Sequence, residues 1–332
     1  MKLSKVLALT LIPLAALAGC AAQPQAAEQN SIVVYAGRDE ELVAPLVEQF
    51  EQESGIEVEV RYASSAELAA QLLEEGENSP ADVFFAQDAG ALGAVSKAGL
   101  FTKLPASIYD LVPTAYSAAD GAWVGISGRV RVLSYNPKTV TELPKSVFEL
   151  AEPKWQGRIG IAPSNASFQT FVTAMRVVEG DEKTLAWLEG MKQNAVIFEK
   201  NGAILEAVEA GQVDAGLINH YYWYALAQEK GAANLTSKIA QFETADVGNL
   251  INAAGVGILK DSSAAQKFVE FLLSETGQNY FAEQTREYPL VPGIPAADDL
   301  TPLSEIPAPK VDLSDLDSLE QTLELIRQAG LI

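Results

Sequence analysis

Hydrophobic and polar positions along the chain follow two alternating rhythms from residue 31 onward. Residues 31–37 (SIVVYAG) form a continuous apolar run closed by a glycine, the pattern of a buried strand and turn. In 40–53 that pattern gives way to Leu42, Leu46 and Phe50 at four-residue spacing with Val43 and Val47 beside them, an amphipathic helix with Pro45 in its early part. Residues 57–63 alternate as a strand, Leu68, Leu72 and Leu73 mark a helix, 82–86 (DVFFA) read as a third strand, and a helix follows through Leu92 and Val95. Strands alternating with helices in this way build βαβ units around a parallel sheet.

The middle of the chain repeats the scheme. Residues 123–127 and 130–135 predict two strands, ended by Asn136-Pro137. A second α/β unit then opens, with strands at 158–162, 195–199 and 213–218 and helices at 167–178 and 203–210. Residues 251–259, apolar on both faces, predict a central strand; helices at 264–273 and 275–284 and a proline-rich tail ending in a short acidic helix complete the pattern. The expected architecture is α/β and two-lobed, with a ligand crevice between the lobes. Its boundaries are a first lobe at 31–129 plus 251–302 and a second at 130–250 plus 303–332. A length of 332 residues, too long for one comfortable core, agrees with that division.

The first twenty residues change the address rather than the fold. Lys2 and Lys5 precede an apolar stretch at 6–17, followed by Leu17-Ala18-Gly19-Cys20. This reads as a signal peptide over 1–19, and the tetrapeptide resembles the bacterial lipobox, which makes Cys20 the site of lipidation and 20–30 a polar tether. Cys20 is the only cysteine, so no internal disulfide forms. The expected location is extracytoplasmic, lipid-anchored to the membrane. Without Lys2 and Lys5, 21 basic residues face 44 acidic ones, a formal charge of −23 that repels nucleic acid and mainly serves solubility.

Ligands of doubly wound sheets sit beyond the carboxyl ends of the strands. The loops there are 37–39, 87–88, 164–167, 201–202 and 219–222. The last continues as Asn219-His220-Tyr221-Tyr222-Trp223-Tyr224, between an apolar strand and helical sequence. In the first turn of a helix, adjacent side chains diverge by about 100°, so the hydroxyls of Tyr221 and Tyr222 can meet at one point. Phenol ionises at neutral pH only beside a strong cation, and phenolate is a hard oxygen donor suited to ferric iron. The same aromatic cluster also suits stacking of an organic solute, or plain packing. From the tyrosines alone the three readings stay open.

The chain resembles the bacterial periplasmic ferric-iron-binding proteins, of the type II periplasmic-binding-protein fold shared with the transferrin lobes. The likeness is carried by 33–43 (VVYAGRDEELV), 79–93 (SPADVFFAQDAGALG), 125–137 (GISGRVRVLSYNP), 201–226 (NGAILEAVEAGQVDAGLINHYYWYAL) and 326–331 (IRQAGL). It implies that Tyr221 and Tyr222 bind ferric iron. Family members often add a histidine and a glutamate; those positions hold Asp39, a hard oxygen donor, and Gln87, a weaker neutral one. A further tyrosine of the carbonate-using branch is replaced by Asn165. The resemblance also implies a synergistic anion (phosphate, carbonate or citrate) held by Asn165, Ala166 and Ser167 at a helix start together with Asn201 and Asn219. Arg38 and Arg129 are read mainly as ion-pair partners, Asp88 as a helix cap, and His220, Trp223 and Tyr224 as packing residues. The partners implied are an ABC permease and its ATPase, with the binding protein a monomer. An enzyme is not expected: the sequence has one histidine and no nucleophile elbow, phosphate loop or dinucleotide fingerprint. A binder of an organic or oxyanion solute on the same fold is the alternative.

Overall fold

The computed structural model describes residues 30–332. The expected signal peptide at 1–19, the Cys20 acylation site and all but the last residue of the tether lie outside the described residues. In chain order the strands are β1 (Ser31–Ala36), β2 (Glu57–Tyr62), β3 (Val83–Ala86), β4 (Val124–Tyr135), β5 (Ile159–Ile161), β6 (Ala195–Ile197), β7 (Ala215–Asn219), β8 (Lys238–Ala240), β9 (Ile251–Ile258) and β10 (Tyr288–Pro289). The helices are α1 (Glu40–Ser54), α2 (Ser65–Glu75), α3 (Ala89–Lys97), α4 (Ala106–Tyr109), α5 (Ala166–Glu179), α6 (Asp181–Asn194), α7 (Asn201–Glu209), α8 (His220–Lys230), α9 (Ser263–Leu273), α10 (Glu275–Glu283) and α11 (Leu319–Gln328).

The strands follow the order β2-β1-β3-β9-β4-β7-β5-β6, with β8 and β10 also on β4. β1 runs parallel to β2 and β3, and β5 runs parallel to β6 and β7. These are the two βαβ units, and β4 joins them. Its first half pairs antiparallel with β9 from Val124 to Val130; its second half pairs with β7 from Arg131 to Tyr135. One strand therefore carries the chain from one half of the molecule to the other. The apolar core is continuous across this junction, from Val34, Phe84 and Phe85 to Ile159, Phe168 and Trp187.

Two strands were expected at 123–127 and 130–135, but the structure makes them one. Gly128 and Arg129 stay extended because β9 pairs with them through Ala253 and Asn252 while Tyr288 of β10 pairs with Gly128 from the other edge. The tight packing also needs the glycine: a Cβ at Gly128 would lie 3.1 Å from Leu290. Helix α6 and the short strands β8 and β10 were not anticipated. The first has weak amphipathy and buries itself through Trp187, Leu188 and Met191, and the other two exist only through their pairing with β4. Helix α11 packs on α5 and α6, while residues 313–316 pack against α3 as well as α5. Among the described residues no helix is long and apolar enough to cross a membrane.

Candidate functional site

The carboxyl ends of β1, β3, β5 and β7 open onto helices α1, α3, α5 and α8, and the residues singled out above occupy those turns. Helix α8 begins at His220, directly after β7, so Tyr221 and Tyr222 fall in its first turn. Their rings stack, with centroids 4.3 Å apart and planes 28° apart. Tyr221 is only 3% exposed. Two phenol rings are thus held together in the crevice.

Desolvation sets their protonation. Burial pushes the Tyr221 phenol above its usual value even though Arg129 and Arg38 pull the other way. Burial pushes Tyr222 well above its usual value, and proximity to Tyr221 and Asp39 adds to the effect. Both are neutral phenols at pH 7. Among the described residues no group of three or more His, Cys, Asp or Glu side chains is disposed to hold a metal.

Gln87, at the end of β3, reaches across the crevice: its Nε2 donates to the Tyr221 hydroxyl at 3.4 Å. Asp39, exposed at the N-cap of α1, is close enough to act electrostatically on Tyr222. A residue that the sequence did not flag holds both turns. Ser65 Oγ donates to the Gly37 carbonyl at 3.0 Å and accepts from the Gln87 amide at 2.8 Å. Gly37 has to be glycine for this, because a Cβ there would sit 2.1 Å from Ser65 Oγ.

The second-lobe turn is similarly tied. Asn165 caps α5, its Oδ1 accepting from the Ser167 amide at 3.0 Å and the Ser167 hydroxyl at 2.7 Å. Asn201, the first residue of α7, donates from Nδ2 to Ser167 Oγ at 3.2 Å. Ala166 is buried beside them. Asn219 makes no side-chain cap to α8; its Nδ2 and the Asn201 Oδ1 are buried without hydrogen-bond partners. Such orphans mark a place where a further polar group is accommodated.

The remaining residues divide clearly. Arg38 pairs with buried Glu287 at 2.7 Å, and Arg129 Nε lies 3.8 Å from the same carboxylate. Asp88 caps α3 by accepting from Ala91 N and also accepts from Thr170 Oγ1 at 2.7 Å, which binds the start of α3 to α5. His220 turns from the crevice: its Nδ1 accepts from Val130 N at 3.1 Å and its ring stacks on Tyr288 at 4.9 Å. Burial drives its imidazole down to about 4, so it is neutral. Tyr224 lies edge-on to that ring and lines a 260 Å³ cavity behind it, while Trp223 donates to the Ser237 carbonyl.

Comparison with known proteins gives the geometry a context. The family model for bacterial extracellular solute-binding proteins matches residues 32–284. The major ferric iron-binding protein of Neisseria meningitidis is 38% identical over 328 residues, covering 96% of this chain and 97% of that protein. The Fe(3+)-binding periplasmic protein of Serratia marcescens is 37% identical, covering 94% and 93%. Among solved structures, iron-bound HitA from Pseudomonas aeruginosa superposes with a TM-score of 0.86 at 38% identity, covering 91% of this chain and 99% of that one. The Trichodesmium protein IdiA (FutA), in complex with iron and citrate, superposes with a TM-score of 0.76 at 28% identity, covering 91% and 100%.

Proposed function

The chain belongs to the bacterial extracellular solute-binding protein family, and from that premise we propose that it captures ferric iron outside the cytoplasm and delivers it to a membrane importer. The observation that carries this reading is the stacked pair of phenol rings in the crevice, Tyr221 buried and Tyr222 half-buried. Their two phenolates are the main iron ligands. Asp39 adds a carboxylate from the rim; Gln87 supports the Tyr221 oxygen as a donor and is at most a weak ligand. Names of relatives that bind ferric iron, at 37% and 38% identity over nearly the full length, support the metal.

Two phenolates and one carboxylate balance the charge of a trivalent ion but leave coordination positions open, and an exogenous anion fills them. The start of α5 at Asn165–Ser167, with Asn201 and Asn219 beside it, receives that anion at the positive end of the helix. Phosphate, carbonate and citrate are the candidates, and a relative that holds iron with citrate supports the last. Capture closes the lobes by rotation about the paired segments 128–131 and 249–253. The loaded protein, a monomer tethered through lipid on Cys20, then docks on an ABC permease powered by its ATPase.

Ferric titration of purified protein in the presence of each anion tests the reading. The expected result is a visible tyrosinate-to-iron charge-transfer band that saturates at one iron per protein and vanishes in Tyr221→Phe and in Tyr222→Phe. A colourless protein that instead retains an organic solute overturns it.

A further inference from the structure

Charge beneath the tyrosine pair is unevenly compensated. Arg38, Arg129 and Arg131 are all buried around Tyr221. Arg38 hydrogen-bonds Glu287, whose carboxylate also accepts from Ser127 Oγ at 2.9 Å and Thr285 Oγ1 at 3.2 Å; Arg129 lies 3.8 Å from the same carboxylate as an ion pair, without a hydrogen bond to any of its guanidinium nitrogens. The buried Asp88 accepts from Ala91 N and Thr170 Oγ1 through Oδ1, its Oδ2 making no hydrogen bond to Arg131, and Asp39 lies out at the solvent rim. Nothing is left for Arg131. It is 2% exposed, none of its three guanidinium nitrogens has a hydrogen-bond partner, and it faces only the rings of Phe171 at 4.8 Å and Phe168 at 5.7 Å.

An unpaired buried cation costs several kcal/mol, and an aromatic face offsets only about 2 kcal/mol of that. Desolvation and neighbouring Arg129 bring Arg131 down to about 9, which leaves it charged at neutral pH. Its backbone pairs directly with Asn219 on β7, and its ring partners belong to α5, the helix that begins at Asn165–Ser167. The surplus charge therefore sits under the two turns assigned above to the anion, beside the buried Asn219 Nδ2 that also lacks an acceptor.

We propose that Arg131 is the residue that makes ferric binding depend on an exogenous anion: its uncompensated charge, fixed under Tyr221 and Asn219, selects iron that arrives with a multiply charged oxyanion or carboxylate over the cation alone. The inference rests on the ferric reading and deepens it. Arg131 acts through the field rather than by contact, as its nitrogens are sealed from solvent. Removing one positive charge from the floor lowers the need for a negative partner, so the anion requirement relaxes while the tyrosine ligands stay in place.

The test compares wild type, Arg131→Met and Arg131→Lys, each loaded with one equivalent of ferric ion and radiolabelled citrate or phosphate, then desalted. Wild type and Arg131→Lys are expected to retain about one anion per iron. Arg131→Met is expected to keep the tyrosinate band yet retain anion at least roughly tenfold more weakly, the effect of one charge at short range in a medium of effective dielectric about 20. Because methionine replaces an orphaned charge with an apolar chain of similar length, the variant is expected to fold at least as stably. Retention of the anion in Arg131→Met equal to that of wild type overturns the proposal and leaves the ferric reading standing. No band from the wild-type protein removes the ferric reading, and this proposal with it.

Discussion

Glu287 shows how much a single side chain carries at the floor of the crevice. Burial alone would raise its carboxyl, but Arg38 and Arg129, with the hydrogen bonds of Arg38 and Ser127, outweigh that and hold it below the usual glutamate value. Glu287→Gln keeps the shape and leaves both guanidiniums uncompensated, so a loss of about 3 kcal/mol or more is expected in denaturant unfolding. The pH dependence follows from the depressed carboxyl. Its stabilisation is complete above the unfolded-state value of about 4.3 and disappears as pH falls through the lower folded-state value. The stability gap between wild type and variant is therefore expected to be constant at neutral pH and to close in acid; a gap independent of pH would contradict the assignment. The tyrosines obey the opposite logic, since their burial favours the protonated form until a cation is supplied.

At the level of elements, the site is made by turns that follow strands and precede helices. The β1–α1 and β3–α3 turns have no covalent link nearer than the chain between them, yet Ser65 at the start of α2 fastens both. Gly37→Ala puts a methyl group 2.1 Å from Ser65 Oγ and 2.8 Å from its Cα, which is backbone and cannot turn aside. A destabilisation of about 1–3 kcal/mol is expected from such overpacking, together with weaker iron binding as Asp39 and Gln87 lose their placement. Calorimetry and ferric titration on the same variant check the pair of effects; normal stability with normal binding would show that the turn has slack. Asn165 does two jobs in its element, since the cap that starts α5 also aligns Ser167 with Asn201.

Across the whole molecule, the lobes meet through few but well-placed polar contacts. Gln87 reaches Tyr221 across the crevice, and Asp88 accepts from Thr170 at its buried floor. The second is charge-assisted and wholly buried, worth about 1.5–3 kcal/mol. Thr170→Val removes the donor without changing the volume much, so closure is expected to weaken and a competing chelator to strip iron several-fold faster. The charge-transfer band is expected to stay unchanged, because no ligand is altered. Stopped-flow release kinetics measure this, and an unchanged rate would mean that the contact does not report on closure.

The alternation of strand and helix, the two α/β units and the aromatic turn at 219–224 were legible from sequence because each is a local pattern of period and residue type. The place of Tyr221 and Tyr222 in the first turn of a helix followed from the apolar strand before them and the helical sequence after, whereas the stacking of their rings was seen only in the structure. What only the tertiary structure decided are contacts between residues far apart in the chain. Glu287 meets Arg38, Ser65 meets Gln87, Asp88 meets Thr170, and Val124–Tyr135 is one strand because β9 and β10 pair along it. Periodicity fixes which face of an element is apolar; which charge finds a partner, and which is left without one, depends on how the elements pack.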